Sequence, residues 1–193
     1  MTDSHTARLV YLDTCALLAW AASRLTNPHE DDIATAGYIE GHLATRQAHV
    51  SEITLIEFYD NVALWHRRGD NGANRAWIDG VVGQVMNWLG SESLVVLPMA
   101  PKVFERSMRY VRMNVSAGKY KFRSMDAAHL VHVVDLARRT GSQVDLVTID
   151  SDFGKLFGRL PTLEVFAALV DPRSALAETQ SPDRHKDLGD TTG

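Results

Sequence analysis

Two aspartates follow apolar runs that are typical of buried strands. Asp13 comes directly after Leu9–Leu12, and Asp150 comes directly after Val144–Ile149, with Asp152 close behind it. A carboxylate at the end of an apolar strand is costly unless water, a partner or a metal ion satisfies it. Each aspartate alone is also explained as a helix N-cap, and that alternative stays open. Sites in open α/β sheets form at such strand ends, so these acids are candidates for one shared site.

Two further acids lie in predicted helices. Glu57 is inside the apolar-rich stretch Ile53–Arg68, and a carboxylate on or beside a buried face is unusual. Asp126 lies in the first turn of a helix predicted for Ser124–Arg139. A solvent-facing edge would also explain Glu57, and a favourable contact with the helix dipole would explain Asp126.

The elements that must position these acids alternate between strands and helices, which predicts an α/β fold with a mostly parallel sheet. Strands are predicted at Leu9–Leu12, Ala48–Ser51, Ser93–Leu97, Val144–Ile149 and Leu163–Phe166. Helices are predicted at Cys15–Ser23, Asp31–Arg46, Ile53–Arg68, Ala73–Leu89, Pro101–Ala117, Ser124–Arg139 and Phe153–Phe157. Residues 7–170 are interpreted as one domain, and the polar residues 171–193 as a disordered C-terminal tail.

Composition excludes several classes of protein. The 193 residues are 45% hydrophobic and 23% charged, with a net charge of -4, which is typical of a soluble globular protein rather than a nucleic-acid coat protein. The single cysteine, Cys15, excludes an internal disulfide and a cysteine-rich zinc site. It also fits a reducing compartment. No apolar run is long enough for a transmembrane helix, so a cytoplasmic protein without membrane contact is predicted.

Basic residues concentrate on one predicted helix and the loop after it. Seven of the chain's 20 Lys and Arg residues lie there: Lys102, Arg106, Arg109, Arg112, Lys119, Lys121 and Arg123. The opposite helix face is predicted to be apolar, with Phe104, Met108, Val111 and Val115. These charges would suit a nucleic-acid backbone, an acidic partner peptide or simply a solvated helix face.

Histidines and tryptophans are predicted to be structural. His129 and His132 lie three residues apart on one predicted helix, and we interpret both as packed or hydrogen-bonded rather than as metal ligands. The tryptophans are spread over apolar helices and are interpreted as core or interface residues. They are Trp20, Trp65, Trp77 and Trp88.

The acids lie in four separate segments of the chain, which are Val10–Leu18, Ser51–Phe58, Arg123–Leu130 and Leu146–Phe153. In this order the segments resemble the motifs of PIN-domain proteins, and the chain is similar to the VapC-type ribonuclease toxins of bacterial toxin–antitoxin pairs. The resemblance extends over residues 9–166. It implies a Rossmann-like PIN fold, with a central mostly parallel sheet flanked by helices. It also implies that four acids gather at one end of the sheet: Asp13, Glu57, Asp126 and Asp150.

The chemistry that the resemblance implies is metal-dependent hydrolysis of RNA. It makes Asp13, Asp126, Asp150 and Asp152 the metal ligands and Glu57 a further catalytic residue, with Thr14 and Thr148 in support. Packed carboxylates need a counter-charge, and oxygen ligands select hard cations such as Mg²⁺ or Mn²⁺. A cation held in this way activates a water molecule and stabilises the leaving oxygen of a phosphodiester. Cys15 departs from the small polar residue that is usual at its position.

The resemblance further implies an RNA substrate, a small antitoxin partner and a homodimer. Two alternatives stay open: a PIN-type nuclease of RNA maturation that has no antitoxin, and a non-catalytic RNA- or protein-binding module on the same fold. A phosphatase with an aspartyl intermediate would need a second aspartate two residues after Asp13. Cys15 occupies that position.

Overall fold

The structure is a computed structural model that describes residues 8–115 and 124–174. Its centre is a parallel sheet with the strand order β3-β2-β1-β4-β5. The strands are β1 (Leu9–Leu12), β2 (Ala48–Ser51), β3 (Leu94–Leu97), β4 (Val144–Val147) and β5 (Ala167–Val170). The predicted α/β fold is confirmed.

Helices connect the strands and cover both faces of the sheet. They are α1 (Thr14–Ala22), α2 (Glu30–Leu43), α3 (Glu52–Arg68), α4 (Arg75–Gly90), α5 (Val103–Val115), α6 (Ser124–Thr140) and α7 (Ser151–Phe157). Each overlaps a helix predicted from the sequence. None of the helices in the described residues is long and apolar enough to span a membrane.

The core has two layers because alternate residues of a strand point to opposite faces. Val10 and Leu12 of β1 pack with residues of α1 to α4. Tyr11, which lies between them, packs with residues of α6 and α7. Both faces of the sheet are therefore buried, which explains the nearly continuous apolar sequence of β1.

The tryptophans pack in the first of these layers, as predicted. The ring of Trp20 lies 4.7 Å from that of Trp88 and 6.5 Å from that of Phe58, between ring centroids. Trp77 is also buried, and Trp65 is partly buried against the same cluster. These side chains hold α1, α3 and α4 together on one face of the sheet.

The prediction for the last strand was wrong. Leu163–Phe166 is not a strand: Pro161–Val165 forms a 3-10 helix, and β5 follows it at Ala167–Val170. Proline fixes its own backbone and has no N–H to donate, which favours a turn at this point. The apolar residues after the turn pair with β4, with Ala167 opposite Val144.

The strand order reverses between β1 and β4, and ligands of open α/β sheets bind at such a reversal. β1 ends beside β4, where the backbone N–H of Asp13 donates to the carbonyl of Val147 at 3.2 Å. Asp150 follows β4 a short turn later. The fold therefore brings the two strand-end aspartates to one edge of the sheet.

Only the first residues of the predicted tail are described. Arg173 is paired with Asp171 at 2.6 Å and with Asp31, at the start of α2, at 3.6 Å. Residues 175–193 lie outside the described residues.

Candidate active site

All five predicted acids line one cavity of about 480 Å³ at the carboxyl end of the sheet. We call it the carboxylate pocket, and it is formed by Asp13, Glu57, Asp126, Asp150 and Asp152. Asp13 follows β1, and Asp150 and Asp152 lie at the start of α7, beside the reversal of the strand order. Glu57 is on α3 and Asp126 on α6. Thr14, Cys15 and His129 share its wall.

Asp13 is both a helix cap and a member of the pocket. Its carboxylate accepts from the backbone N–H of Ala16 at 2.8 Å and from the hydroxyl of Thr148 at 2.6 Å. The side chain is almost completely buried. Burial raises the pKa of Asp13 to about 6, and the charge of Asp150 adds to the rise, while His129 and the two hydrogen bonds oppose it.

Asp150 caps α7 in a similar way. Its carboxylate accepts from the backbone N–H of Asp152 at 2.8 Å, and its own N–H donates to the hydroxyl oxygen of Thr148 at 3.0 Å. Thr148 therefore connects the two strand-end aspartates directly. Asp152 is ion-paired with Lys155, one turn along α7.

Glu57 is held in the pocket by two partners from other elements. The hydroxyl of Thr14 donates to its carboxylate at 2.7 Å, and Nε2 of His129 lies 3.0 Å from the same oxygen. Burial alone would raise the pKa of Glu57, but these hydrogen bonds and the charge of His129 outweigh it and hold the pKa below its ordinary value. Glu57 is therefore ionised at neutral pH.

A buried polar network supports Glu57 from behind. Nδ1 of His129 lies 3.0 Å from the hydroxyl oxygen of Tyr11, which donates to Ser51 at 3.0 Å. Ser51 and Thr54 form the capping box at the start of α3. The prediction that His129 is a hydrogen-bonded histidine is confirmed, but its contacts with pocket residues were not foreseen. Its position one turn after Asp126 on α6 was the available signal.

His132 contacts the backbone instead. Its Nε2 accepts from the N–H of Ala100 at 3.1 Å, and its Nδ1 lies 2.8 Å from the carbonyl oxygen of Ala128. Burial lowers the pKa of His132. The structural interpretation of this histidine is confirmed.

The donor set of the carboxylate pocket fits a hard cation, since the available ligands are carboxylate and hydroxyl oxygens. Burial and the charges of the surrounding carboxylates raise the pKa of the Cys15 thiol, so Cys15 offers no thiolate. Among the described residues, no three His, Cys, Asp or Glu side chains converge closely enough to form a finished metal site. Mg²⁺ keeps several of its waters when a protein binds it, so a pocket lined by carboxylates suits it without a closed cage.

The predicted basic stripe is only partly formed. Lys102 has a φ of 54° and precedes α5, so it does not continue the helix. Arg106 turns toward α6 and pairs with Asp135 at 3.5 Å, and Arg109 pairs with Glu105 on its own helix at 3.0 Å. Lys119, Lys121 and Arg123 lie outside the described residues.

The prediction of an apolar face on α5 was also partly wrong. Phe104 is 68% exposed and Met108 48% exposed, whereas Val103 and Ser107 are buried. Val111 is partly buried. α5 is rotated about its axis relative to the predicted orientation, because Arg106 pairs with Asp135 on α6 and the small side chains of Val103 and Ser107 allow the two helices to approach. The side chain of Val115 is outside the described residues.

The raised pKa of Asp13 predicts a specific pH dependence of stability in the absence of divalent cations. Between its ordinary value of 3.8 and about 6, the folded chain holds a proton that the unfolded chain has lost. Ionisation of Asp13 therefore costs stability as the pH rises, by about 3 kcal/mol in all. The Asp13→Asn variant has no such proton. Its free energy of unfolding should therefore rise by about 3 kcal/mol relative to that of wild type between pH 4 and pH 7. Urea denaturation in EDTA measures the difference in stability between the variant and wild type at each pH. A difference that does not change with pH would contradict a raised pKa of Asp13.

No family model and no curated protein matches the sequence. Solved structures do match the fold. FitAcB from Neisseria gonorrhoeae is 15% identical, with a TM-score of 0.52, over 85% of this chain and 98% of its own. VapBC2 from Rickettsia felis, bound to a DNA fragment from their promoter, is 13% identical, with a TM-score of 0.53, over 84% and 99%.

FitAB bound to an IR36 DNA fragment is 16% identical, with a TM-score of 0.51, over 86% of this chain and 96% of its own. Identities this low establish likeness of fold and leave activity open. This chain has the α/β fold of the FitAB and VapBC2 structures, as its resemblance to PIN domains predicts.

Proposed function

We propose that this chain is a metal-dependent endoribonuclease that hydrolyses RNA at the carboxylate pocket, and that it is the toxin of a toxin–antitoxin pair. One observation carries the proposal. The acids that the sequence motifs single out, which are far apart in the chain, line a single cavity at the reversal of the sheet. The likeness of fold to FitAB and VapBC2 supports it.

In this proposal a divalent cation is held by Asp13, Asp126, Asp150 and Asp152, and Glu57 contacts it directly or through a water molecule. Mg²⁺ or Mn²⁺ bound there would supply an activated water molecule and charge stabilisation for the leaving oxygen. The chain's own residues do the positioning. Thr148 orients Asp13 through its hydroxyl, and Thr14 fixes Glu57 in its ionised form, ready to accept a proton from the attacking water.

Phosphate contacts in this proposal come from the basic residues that precede α6. Lys102 and Arg112 are exposed, and Lys119, Lys121 and Arg123 lie in the segment that leads to Asp126. Arg109 is exposed beside Glu105, while Arg106 is engaged with Asp135. Binding through such contacts weakens as salt concentration rises.

Cleavage of RNA by the purified chain, freed of any bound partner, tests the proposal. We expect cleavage in Mg²⁺ or Mn²⁺, none in EDTA, and recovery when the cation is added back. Asp126→Asn should abolish it, while Asp79→Asn, which changes an exposed acid paired with Arg75, should not. Equal activity of both variants would indicate a contaminating nuclease. An inert wild type on varied RNAs, with no cation bound, would favour the non-catalytic binding module.

Partners follow from the same proposal. The resemblance to PIN toxins implies a small antitoxin that covers the carboxylate pocket. The two similar assemblies, FitAB and VapBC2, are each bound to DNA, and the DNA in the second comes from their own promoter. Co-expression with the product of the neighbouring gene, followed by the cleavage assay, tests whether such a partner inhibits this chain.

A homodimer is the expected oligomeric state, formed through exposed apolar side chains on α3 and α5. Ile56 on α3 is 64% exposed, and Phe104 and Met108 are exposed on α5. The two helices meet where Ile53 and Val103 pack in one cluster. We expect Phe104→Glu with Met108→Glu to convert a dimer into a monomer, because each buried charge would be unpaired. Light scattering after gel filtration measures the mass. Val165→Glu, at another exposed apolar position, should leave the dimer intact. A double variant that stays dimeric would contradict this surface.

A further inference from the structure

His129 differs from an ordinary buried histidine in what it contacts. Its side chain is 4% exposed, and its Nε2 lies 3.0 Å from Glu57 and 3.1 Å from the hydroxyl oxygen of Thr14. Its Nδ1 lies 3.0 Å from the hydroxyl oxygen of Tyr11. His132 is about as buried on the same helix, and its hydrogen bonds within the described residues are to backbone atoms. Burial of a histidine in α6 therefore does not require contacts with the pocket.

The partners of Nε2 determine where one proton of the ring lies. The carboxylate of Glu57 only accepts, and the hydroxyl proton of Thr14 is already donated to that carboxylate. Nε2 must therefore carry a hydrogen and donate it. The contact of Nδ1 with Tyr11 fixes the plane of the ring, so that the Nε2–H points at Glu57.

The contact also connects two helices of the pocket. Asp126 and His129 are one turn apart on α6, while Glu57 is on α3. The hydrogen bond between His129 and Glu57 therefore sets the separation of Glu57 from Asp126. Without it, Thr14 alone would hold the carboxylate of Glu57.

We propose that His129 is a positioning residue, whose Nε2–H holds Glu57 against the cation and water bound in the carboxylate pocket, with Tyr11 fixing the ring from the opposite side. The inference rests on the proposed function and deepens it. Outer partners of metal-binding groups typically contribute about 10- to 100-fold in metal affinity or activity, so the effect of losing this contact should be of that size.

Two substitutions of His129 separate its two contacts. The amide of asparagine reaches the place of Nδ1 and can contact Tyr11 but not Glu57. The longer glutamine places an N–H near the position of Nε2 and keeps the contact with Glu57. Each variant loses the contacts of one ring nitrogen, so similar losses of stability are expected, while only His129→Asn releases Glu57. His132→Asn is the matched control, since it removes a buried imidazole of α6 that has no pocket contact.

The test measures the Mn²⁺ dissociation constant by calorimetry, kcat and KM on a short oligoribonucleotide, and urea stability for wild type and the three variants. We expect His129→Asn to lose about 10- to 100-fold in kcat and to bind Mn²⁺ more weakly, with little change in KM. His129→Gln should stay within a few-fold of wild type, and His132→Asn should lose stability alone. If His129→Asn does not fold, Tyr11→Phe, which frees the ring by removing one hydroxyl, should lower kcat.

Two results would overturn the inference while leaving the proposed function intact. One is a His129→Asn variant with the Mn²⁺ affinity and kcat of wild type. The other is a loss of function in His132→Asn or His129→Gln as large as in His129→Asn, which would indicate a general effect on packing. If wild type neither binds Mn²⁺ nor cleaves RNA, the proposed function fails and this inference fails with it.

Discussion

The Asp13→Asn variant should lose RNA cleavage by about 10³-fold or more at saturating Mg²⁺, because a bound cation supplies several kcal/mol and each 1.36 kcal/mol is a factor of ten. It should stay folded. The asparagine oxygen can still accept from the N–H of Ala16, and the hydroxyl of Thr148 can accept from the new amide. Single-turnover cleavage and urea denaturation of the same preparation measure both effects.

The design separates a role in chemistry from a role in folding. Asp13 caps α1, so a loss of activity caused by unfolding would appear as a loss of stability. We expect the opposite at pH 7 in EDTA, since the variant removes a carboxylate whose pKa is raised by burial. Cleavage within about tenfold of wild type at matched Mg²⁺ would exclude Asp13 as a cation ligand.

The second large effect is on stability. Replacement of Trp20 by alanine should cost about 3–5 kcal/mol, as is typical of a large buried aromatic side chain. Trp20 is 1% exposed, packs with its ring tilted against that of Trp88 and donates from Nε1 to Glu40 at 2.8 Å. Domains are stable by about 5–15 kcal/mol in total, so the variant should have a measurable unfolded population.

Urea denaturation at neutral pH measures the loss, with Ile33→Ala as the exposed control on α2. The control should change stability by less than about 0.5 kcal/mol, as is usual for surface positions. Because Trp20 lies on α1, the helix that Asp13 caps, the Trp20→Ala variant should also bind Mn²⁺ more weakly under conditions where it is partly unfolded. A loss below about 1 kcal/mol would contradict the packing of α1 described above.

The placement of the acids could be predicted because local signals determine it. Asp13 and Asp150 follow short apolar strands, and the alternation of strands and helices predicts parallel pairing. In a parallel sheet, the carboxyl ends of adjacent strands meet at one edge. The choice between a helix cap and a site residue did not have to be made, since each aspartate caps a helix with one oxygen and lines the pocket.

The network behind Glu57 could not be predicted, because it depends on contacts between distant residues. Tyr11 and His129 are 118 residues apart in the chain, and Glu57 and His129 are 72 apart. No periodicity in the sequence indicates such a contact. The ring of His129 lies between Tyr11 and Glu57 only once the sheet and the helices are assembled.

The errors in α5 and the last strand have a common origin. Periodicity gives the spacing of apolar residues around a helix but not which face its neighbours cover. In α5 the ion pair between Arg106 and Asp135 and the small Ser107 select a face that exposes Phe104. Near the end of the chain, apolar residues on both sides of position 166 left the start of β5 undetermined until its pairing with β4 was known.

Locating a cation in the carboxylate pocket would test the proposed function directly. Crystals of the wild-type chain soaked in Mn²⁺ give an anomalous difference map that identifies bound manganese by element. We expect a peak inside the pocket, at about 2.0–2.3 Å from at least one carboxylate oxygen of the proposed ligands, with water completing the coordination. The proposed ligands are Asp13, Asp126, Asp150 and Asp152. We also expect the peak to disappear in Asp126→Asn. A map with no peak in this pocket, or with manganese only elsewhere on the chain, would contradict the proposed function.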